Sequence, residues 1–494
     1  MDHVPSTESA EPACTKPESG LGLIALRAMV MTFALSSLAV AAVTYLRTGR
    51  YNPSVGGLLF NPADRFHDLT NTLDGIAVGN PYAPFVTSIG AFFPHGNVYP
   101  PAHVVLLRPL NFLPTNSAIT VVSLALAAGI LLLVQIAVPT RHALYISRSS
   151  FSMFRPRFSY FVALSIVPLM LIVKSELDSY ALVIAFYSIV ALILAFTPFR
   201  YRYAPLQLSL TLIFAACYPV VFALDRMNVD IVVFLLLTLG VTTALRRTSI
   251  APGFILGVAA AFKLYPAALV LIMLIQIQRK TKFLIAAIVG AVTSTVLGIK
   301  MTGVAAEQIL VAYSEGLKWF EQTYALGPPG SNYTASLFNG IITWRYALDG
   351  VYPAAFAQEL YTWWGPMQVA TILGVLAIGI ICRYQDWAQW MLACTSIIAF
   401  VPATSEYRML LLLIPIALWL RRVATPSEQD LKRRFLHIAL AVLLGFTLAP
   451  KAIFAPVLGF ITIDSLVTPA NLVALLLLTL ALGWYTRRAG RRVF

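Results

Sequence analysis

Charge is what this 494-residue chain has least of: Asp, Glu, Lys and Arg together make up 11% of it. A soluble protein of ordinary composition holds about a quarter, so an extensive water-facing surface is excluded. Cysteine is scarce as well. The four present, Cys14, Cys217, Cys382 and Cys394, show no metal-ligand spacing, and the last three lie in or beside apolar segments. They imply packed thiols rather than a disulfide framework. Internal repeats and Gly- or Ser-rich linkers are missing too, which argues for one continuous unit. The formal charge of +14 does not mark a nucleic-acid binder, because the basic residues gather on no polar module.

What the chain has in abundance is apolar sequence. It is 59% hydrophobic, its mean hydropathy is +0.79, and runs long enough to span a bilayer recur from end to end. A β-barrel would alternate polar and apolar residues over short segments, and these runs do not. The fold class expected is an all-α polytopic membrane protein, with about twelve transmembrane helices plus a short helical hairpin. The spans fall near 21–46, 116–138, 158–173, 180–197, 205–223, 229–245, 283–301, 368–384, 387–402, 409–420, 435–449 and 467–485. Residues 1–20, polar and rich in Ser, Glu and Pro, read as a disordered cytoplasmic tail ahead of one unit, 21–494. The run that begins at Leu21 is too long for a signal-peptide core and reads as a retained first helix.

The segment IAPGFILGVAAAFKLYPAALVLIMLIQI (250–277) lies between basic clusters and carries Lys263 and Pro266 at its centre. Two short helices that enter the membrane from one side and return, with the lysine near the turn, fit this pattern. Basic runs at 246–247, 278–282 and 431–434 mark cytoplasmic loops by the positive-inside rule, and the acidic residues concentrate in the opposite set of loops. Both termini are then cytoplasmic. The outward face receives two long loops, 47–115 and 302–367. Stretches 99–113 and 306–320 within them are amphipathic and would lie along the membrane surface. Residues 421–494 add further helices at the C-terminus.

The densest charge is in NPADRFHDLTNTLDG (61–75), just after the first span. Carboxylates at a water–lipid boundary hold a cation or take a proton from a hydroxyl within hydrogen-bond reach. The plainer reading is a loop whose acids cap helices, with Asp64 capping one that begins at Arg65.

The wider pattern favours chemistry. FHDLTNTLDGIAVGNPYAP followed by NVYPPAHVVLLRPLNFLP resembles the start of the family-87 glycosyltransferases, membrane enzymes of the C superfamily. The matching elements are Asp68, Gly79-Asn80-Pro81-Tyr82, Tyr99-Pro100-Pro101 and Leu113-Pro114. DRMNVDIVVFLL (225–236), AFKLYPAALVLIML (261–274) and NYTASLFNGI (332–341) are similar to further elements of that family, in order. VPATSEYRMLLLLIP (401–415) stands where a late outward turn often carries histidine; here it reads Ser405-Glu406-Tyr407-Arg408. The resemblance runs from about residue 22 to residue 420.

The resemblance implies a C-type glycosyltransferase fold in the plasma membrane. It implies transfer of a sugar, mannose or arabinofuranose, from a polyprenyl-phosphate donor to a glycan or glycolipid hydroxyl on the outward face, with inversion. Asp68 is then the general base, and Lys263, Arg226 and Arg408 stabilise the departing phosphate. Asp64, His67, Tyr82, Tyr99, Asn228, Glu406 and Tyr407 are the residues expected to line the sugar and acceptor site. Several have a plainer role: snorkelling for Lys263, pairing with Asp225 and Glu406 for Arg226 and Arg408, interface anchoring for Tyr99, and a surface position for His67. Trp319, Trp363 and Trp364 could stack on a glycan or belong to an interfacial belt. Asp64 and Asp68, four apart, would share a helix face and could meet a divalent ion, but two carboxylates alone do not make a metal site, and no cofactor is expected.

Other classes fit less well. A lipid-linked glycan polymerase or ligase relies on outward arginines, and a long acidic first loop suits it poorly. A multi-helix transporter calls for repeated halves and ionisable residues at the bilayer midplane. A scaffold without chemistry stays a third alternative.

Overall fold

The computed structural model describes residues 21–48, 66–88, 92–94, 96, 98–137, 180–196, 203–246, 248–328, 334–402, 404–423, 431–449, 456–458 and 461–486. These are overwhelmingly helical. Among the described residues five helices are long and apolar enough to cross a membrane: Leu21–Val43, Thr115–Ala137, Lys280–Thr302, Ala354–Ile381 and Val467–Thr486. A sixth crossing arises if Gln207–Ala216 and Tyr218–Arg226, bent by 49°, form one span. Pro219 starts the second of the pair; it removes a backbone donor where the chain bends. Shorter apolar helices, among them Asp230–Leu245, Ile250–Phe262, Pro266–Gln276 and Arg434–Leu448, pack between the long ones. This is a helical membrane protein.

Two expected boundaries move. The span placed at 368–384 is the helix Ala354–Ile381, which begins inside the segment 302–367 read as a loop. Pro366 lies within that helix. The span placed at 409–420 opens as a 3-10 turn, Glu406–Leu412, and becomes α-helical only over Leu413–Val423. The expected span at 158–173 and the tail 1–20 lie outside the described residues. Cys217 and Cys394 are buried, Cys382 is half-buried, and all three are free thiols.

The hairpin at 250–277 forms as two helices, Ile250–Phe262 and Pro266–Gln276, with Lys263 in extended conformation at the break. Its first arm lies almost backbone to backbone on Lys280–Thr302. A Cβ at Gly253 or Gly257 would strike the carbonyls of Phe283 and Ala287, and one at Gly290 would strike that of Phe254. Small residues at such spacing let helices approach closely where lipid offers no hydrophobic drive to pack. Gly298, on the same long helix, receives the Pro101 carbonyl, and the Arg108 guanidinium donates to the Met301 carbonyl. The segment 99–112 is thereby seated on that helix at two points.

Candidate active site

Asp68 owes its position to an unusual helix start. Helix His67–Ala77 opens from Phe66 at φ 63°, and Phe66 N–H donates to the Asp225 carbonyl at 2.8 Å. Asp225 belongs to helix Tyr218–Arg226, which closes at Met227 with φ 51°. Both residues stand in left-handed backbone, which costs a non-glycine residue roughly 1–2 kcal/mol. Such strain persists where the surroundings over-determine it, and it collects at functional sites. The two tight turns bring Asp68 against the residues that follow Asp225.

Both Asp68 oxygens are engaged. Arg226 donates to Oδ1 at 2.7 Å and Asn228 donates to Oδ2 at 2.6 Å. The amide of Asn228 also works in the other direction, since its Oδ1 accepts the backbone N–H of Asp230 at 2.9 Å. That N–H is one of the first-turn donors that a helix leaves without an internal partner. One asparagine therefore ties Asp68 to the start of helix Asp230–Leu245.

Asp230 is the hub of the layer beneath. Its side chain is 2% exposed, and a carboxylate in the first turn is favoured by the helix dipole. Oδ1 accepts from Lys263 Nζ and from the Tyr265 hydroxyl, each at 2.7 Å. Oδ2 faces Arg408 Nε at 3.8 Å, too far for a hydrogen bond. Arg408 also donates to Thr404 Oγ1 at 3.0 Å and lies over the Tyr265 ring, while Lys263 Nζ lies 5.1 Å from the centre of the Tyr99 ring.

The expected residues thus divide. Asp68, Arg226, Asn228, Lys263, Tyr99 and Arg408 come together. Lys263 does not snorkel; its side chain is 10% exposed and ion-paired. Arg226 and Arg408, expected to pair with their neighbours Asp225 and Glu406, form ion pairs with Asp68 and Asp230. Tyr407 is half-buried, edge-on to Phe222. Tyr82 is 3% exposed, and its hydroxyl donates to the Tyr99 carbonyl at 2.8 Å, so it supports Tyr99 from behind. Glu406 is wholly buried and accepts from Thr468 at 2.6 Å. His67 is the half-buried first residue of its helix. Asp64 lies outside the described residues, and the described helix begins at His67 rather than at Arg65. Trp364 is buried with its indole N–H on the Phe400 carbonyl, Trp363 is exposed, and Trp319 packs against Phe93 and Tyr324.

Sequence reading passed over Asp230. It lay in plain sight in DRMNVDIVVFLL, where an acid opening an apolar helix reads as a helix-start residue. Its distance of two from Asn228 was the available signal.

The surrounding phenols carry the mark of these charges. Burial first, then the Tyr407 phenol and the Asp68 and Asp230 carboxylates, hold Tyr99 well above the ordinary tyrosine range, so it remains a donor. Burial and then Asp68 raise Tyr324, with Arg226 opposing. Burial lowers the His103 imidazole to about 4, against a smaller upward pull from the Pro100 carbonyl. Among the described residues no group of three His, Cys, Asp or Glu side chains is placed to hold a metal ion.

A bundle of apolar helices that gathers two carboxylates and three cations where several helices begin or break defines a membrane protein equipped for chemistry on a polar group. Residues 158–404, half of the chain, match the model of glycosyltransferase family 87, and the chain belongs to that family. It is therefore a glycosyltransferase of the membrane. No curated protein and no solved structure is recognisably similar to it. The matched segment contains Arg226, Asn228, Asp230, Lys263 and Tyr265. Asp68 precedes it in sequence and is carried into the site by the fold.

Proposed function

We propose that this glycosyltransferase moves a sugar, mannose or arabinofuranose, from a polyprenyl-phosphate donor to a hydroxyl of a glycan or glycolipid at the outward face of the plasma membrane. Both termini are cytoplasmic, and the whole chain adopts the C-type fold with about twelve spans. Asp68 is the general base. It accepts the hydroxyl proton as the acceptor oxygen bonds to the anomeric carbon, and the bond from that carbon to the phosphate oxygen breaks with its electron pair passing to phosphate. Attack opposite the leaving group inverts the centre.

The observation that carries this reading is the joint placement of Asp68, Arg226 and Asn228 directly above the Asp230 cluster. Arg226 and Asn228 fix the carboxylate, and a carboxylate with about four lone-pair positions keeps room for a hydroxyl. Three cations against two carboxylates leave one positive charge. That balance suits a phosphodiester, which carries a single negative charge, and the cations stabilise the charge that develops on the departing phosphate. Of the three, Arg408 keeps its Nε–H without a hydrogen-bond partner and is the natural phosphate ligand.

The test is purified protein in lipid nanodiscs, given polyprenyl-phosphate mannose, polyprenyl-phosphate arabinofuranose and the corresponding nucleotide sugars with a glycolipid acceptor. Transfer from one of the lipid-linked donors is expected. Transfer from the nucleotide sugars alone overturns the proposal.

A further inference from the structure

The site has two depths. Asp68, Arg226 and Arg408 keep 19%, 16% and 14% of their side-chain surface, whereas Asp230 keeps 2% and Lys263 10%. A ligand reaches the first three before it reaches Asp230. Asp230 nonetheless bears on Arg408, and it does so loosely: 3.8 Å, with neither Arg408 Nε nor Asp230 Oδ2 in a hydrogen bond. Its other oxygen holds Lys263 and Tyr265 at hydrogen-bond distance, so the carboxylate is anchored without Arg408.

Resting on the lipid-phosphate reading above, we propose that Asp230 is a positioning residue that competes with phosphate for Arg408 and so releases the spent carrier. Charge gives the reason. The donor is a phosphodiester with one negative charge, but the carrier left after transfer is a phosphate monoester with between one and two. Without Asp230 the site would hold two surplus positive charges and would bind its more highly charged product more tightly than its substrate. A fixed carboxylate behind Arg408 offers the arginine another partner, lowers the affinity for both anions, and matters most for the more highly charged one. Asp230 touches neither the sugar nor the phosphate.

The experiment compares wild type with Asp230→Asn in nanodiscs. It measures the inhibition constant of polyprenyl phosphate, the rate of a single turnover and the steady-state rate. Removing one unit of opposing charge at this range tightens anion binding by about tenfold or more. The inhibition constant of polyprenyl phosphate is therefore expected to fall by that factor in Asp230→Asn. The steady-state rate is expected to fall by a larger factor than the single turnover, leaving a burst of product. A variant that had merely lost structure would bind the carrier more weakly and slow the single turnover. Tyr265→Phe keeps the ring beneath Arg408 but takes a donor from Asp230, which leaves the carboxylate a stronger competitor, so weaker inhibition is expected there. It carries the test if Asp230→Asn does not fold. An inhibition constant that is unchanged or raised in Asp230→Asn, or lowered in Tyr265→Phe, overturns the inference. If wild type uses no lipid-phosphate donor at all, the reading of the reaction fails instead.

Discussion

Asn228 does more than its size suggests, because one amide serves two carboxylates. Its NH2 group fixes Asp68 and its oxygen accepts the N–H of Asp230. Asn228→Ala removes both bonds inside a buried site, where leaving a polar group unsatisfied costs about 1–3 kcal/mol. A lower melting temperature and a reduced kcat are expected together, read by thermal unfolding and single-turnover kinetics. Asp68→Asn is different, since it keeps size and shape and removes the base. A general base contributes roughly a hundred- to ten-thousand-fold, so transfer is expected to fall by that factor with donor binding retained. A variant that transfers sugar at the wild-type rate excludes Asp68 as base. At this scale only part of the site was legible in the sequence. The run of acids drew attention to Asp68 because charge is rare here, whereas Asp230 passed as an ordinary helix-start acid. Its role comes from Lys263, Tyr265 and Arg408, which lie 33, 35 and 178 positions away in the chain.

The hairpin and the segment 99–112 decide where the cations and Tyr99 stand. Gly257 lies on the Ala287 backbone with no room for a side chain. Gly257→Val must push the hairpin off Lys280–Thr302 and carry Lys263 with it, and a loss of folded yield in detergent is the expected outcome. Gly298→Val acts only where Pro101 is seated; a higher donor KM and faster hydrogen exchange over 99–112 are expected, with the hairpin still protected. The same segment carries a pH dependence. His103 takes up its proton at 6.5 when unfolded and at about 4 when folded, so the unfolded segment binds the extra proton first. Its stability is complete above 6.5 and declines as pH falls toward 4. Hydrogen exchange over 99–107 should accelerate through that window, and His103→Gln should flatten the response. The apolar runs and the break of the hairpin near Lys263 were legible in the sequence; the close approach at its glycines was not. That Ala354–Ile381 continues through Pro366 was not, because proline and paired tryptophans look alike at a helix edge and inside a helix held by its neighbours.

For the molecule as a whole, we propose that Glu315 and Lys282, both exposed, stand on opposite faces of the membrane, as the positive-inside rule expects. Single cysteines at these sites, probed on intact cells with a membrane-impermeant maleimide, should label at Glu315→Cys and not at Lys282→Cys; the reverse pattern would turn the site toward the cytoplasm. Cys217 and Cys394 are buried; the wild-type chain, which also carries Cys14 and half-buried Cys382, gives the background to be subtracted.

By itself the sequence determined that this chain lives in a membrane, where most of its helices run, which loops hold acid and which hold base, and the family it resembles. Those properties depend on composition and short-range periodicity, since the cost of placing charge or open backbone in lipid acts on each segment separately. The tertiary structure alone decided which acid meets which base. Ion pairs such as Arg226 with Asp68 form between residues far apart in the chain, and their geometry follows from two strained turns and a close helix crossing that local pattern does not encode.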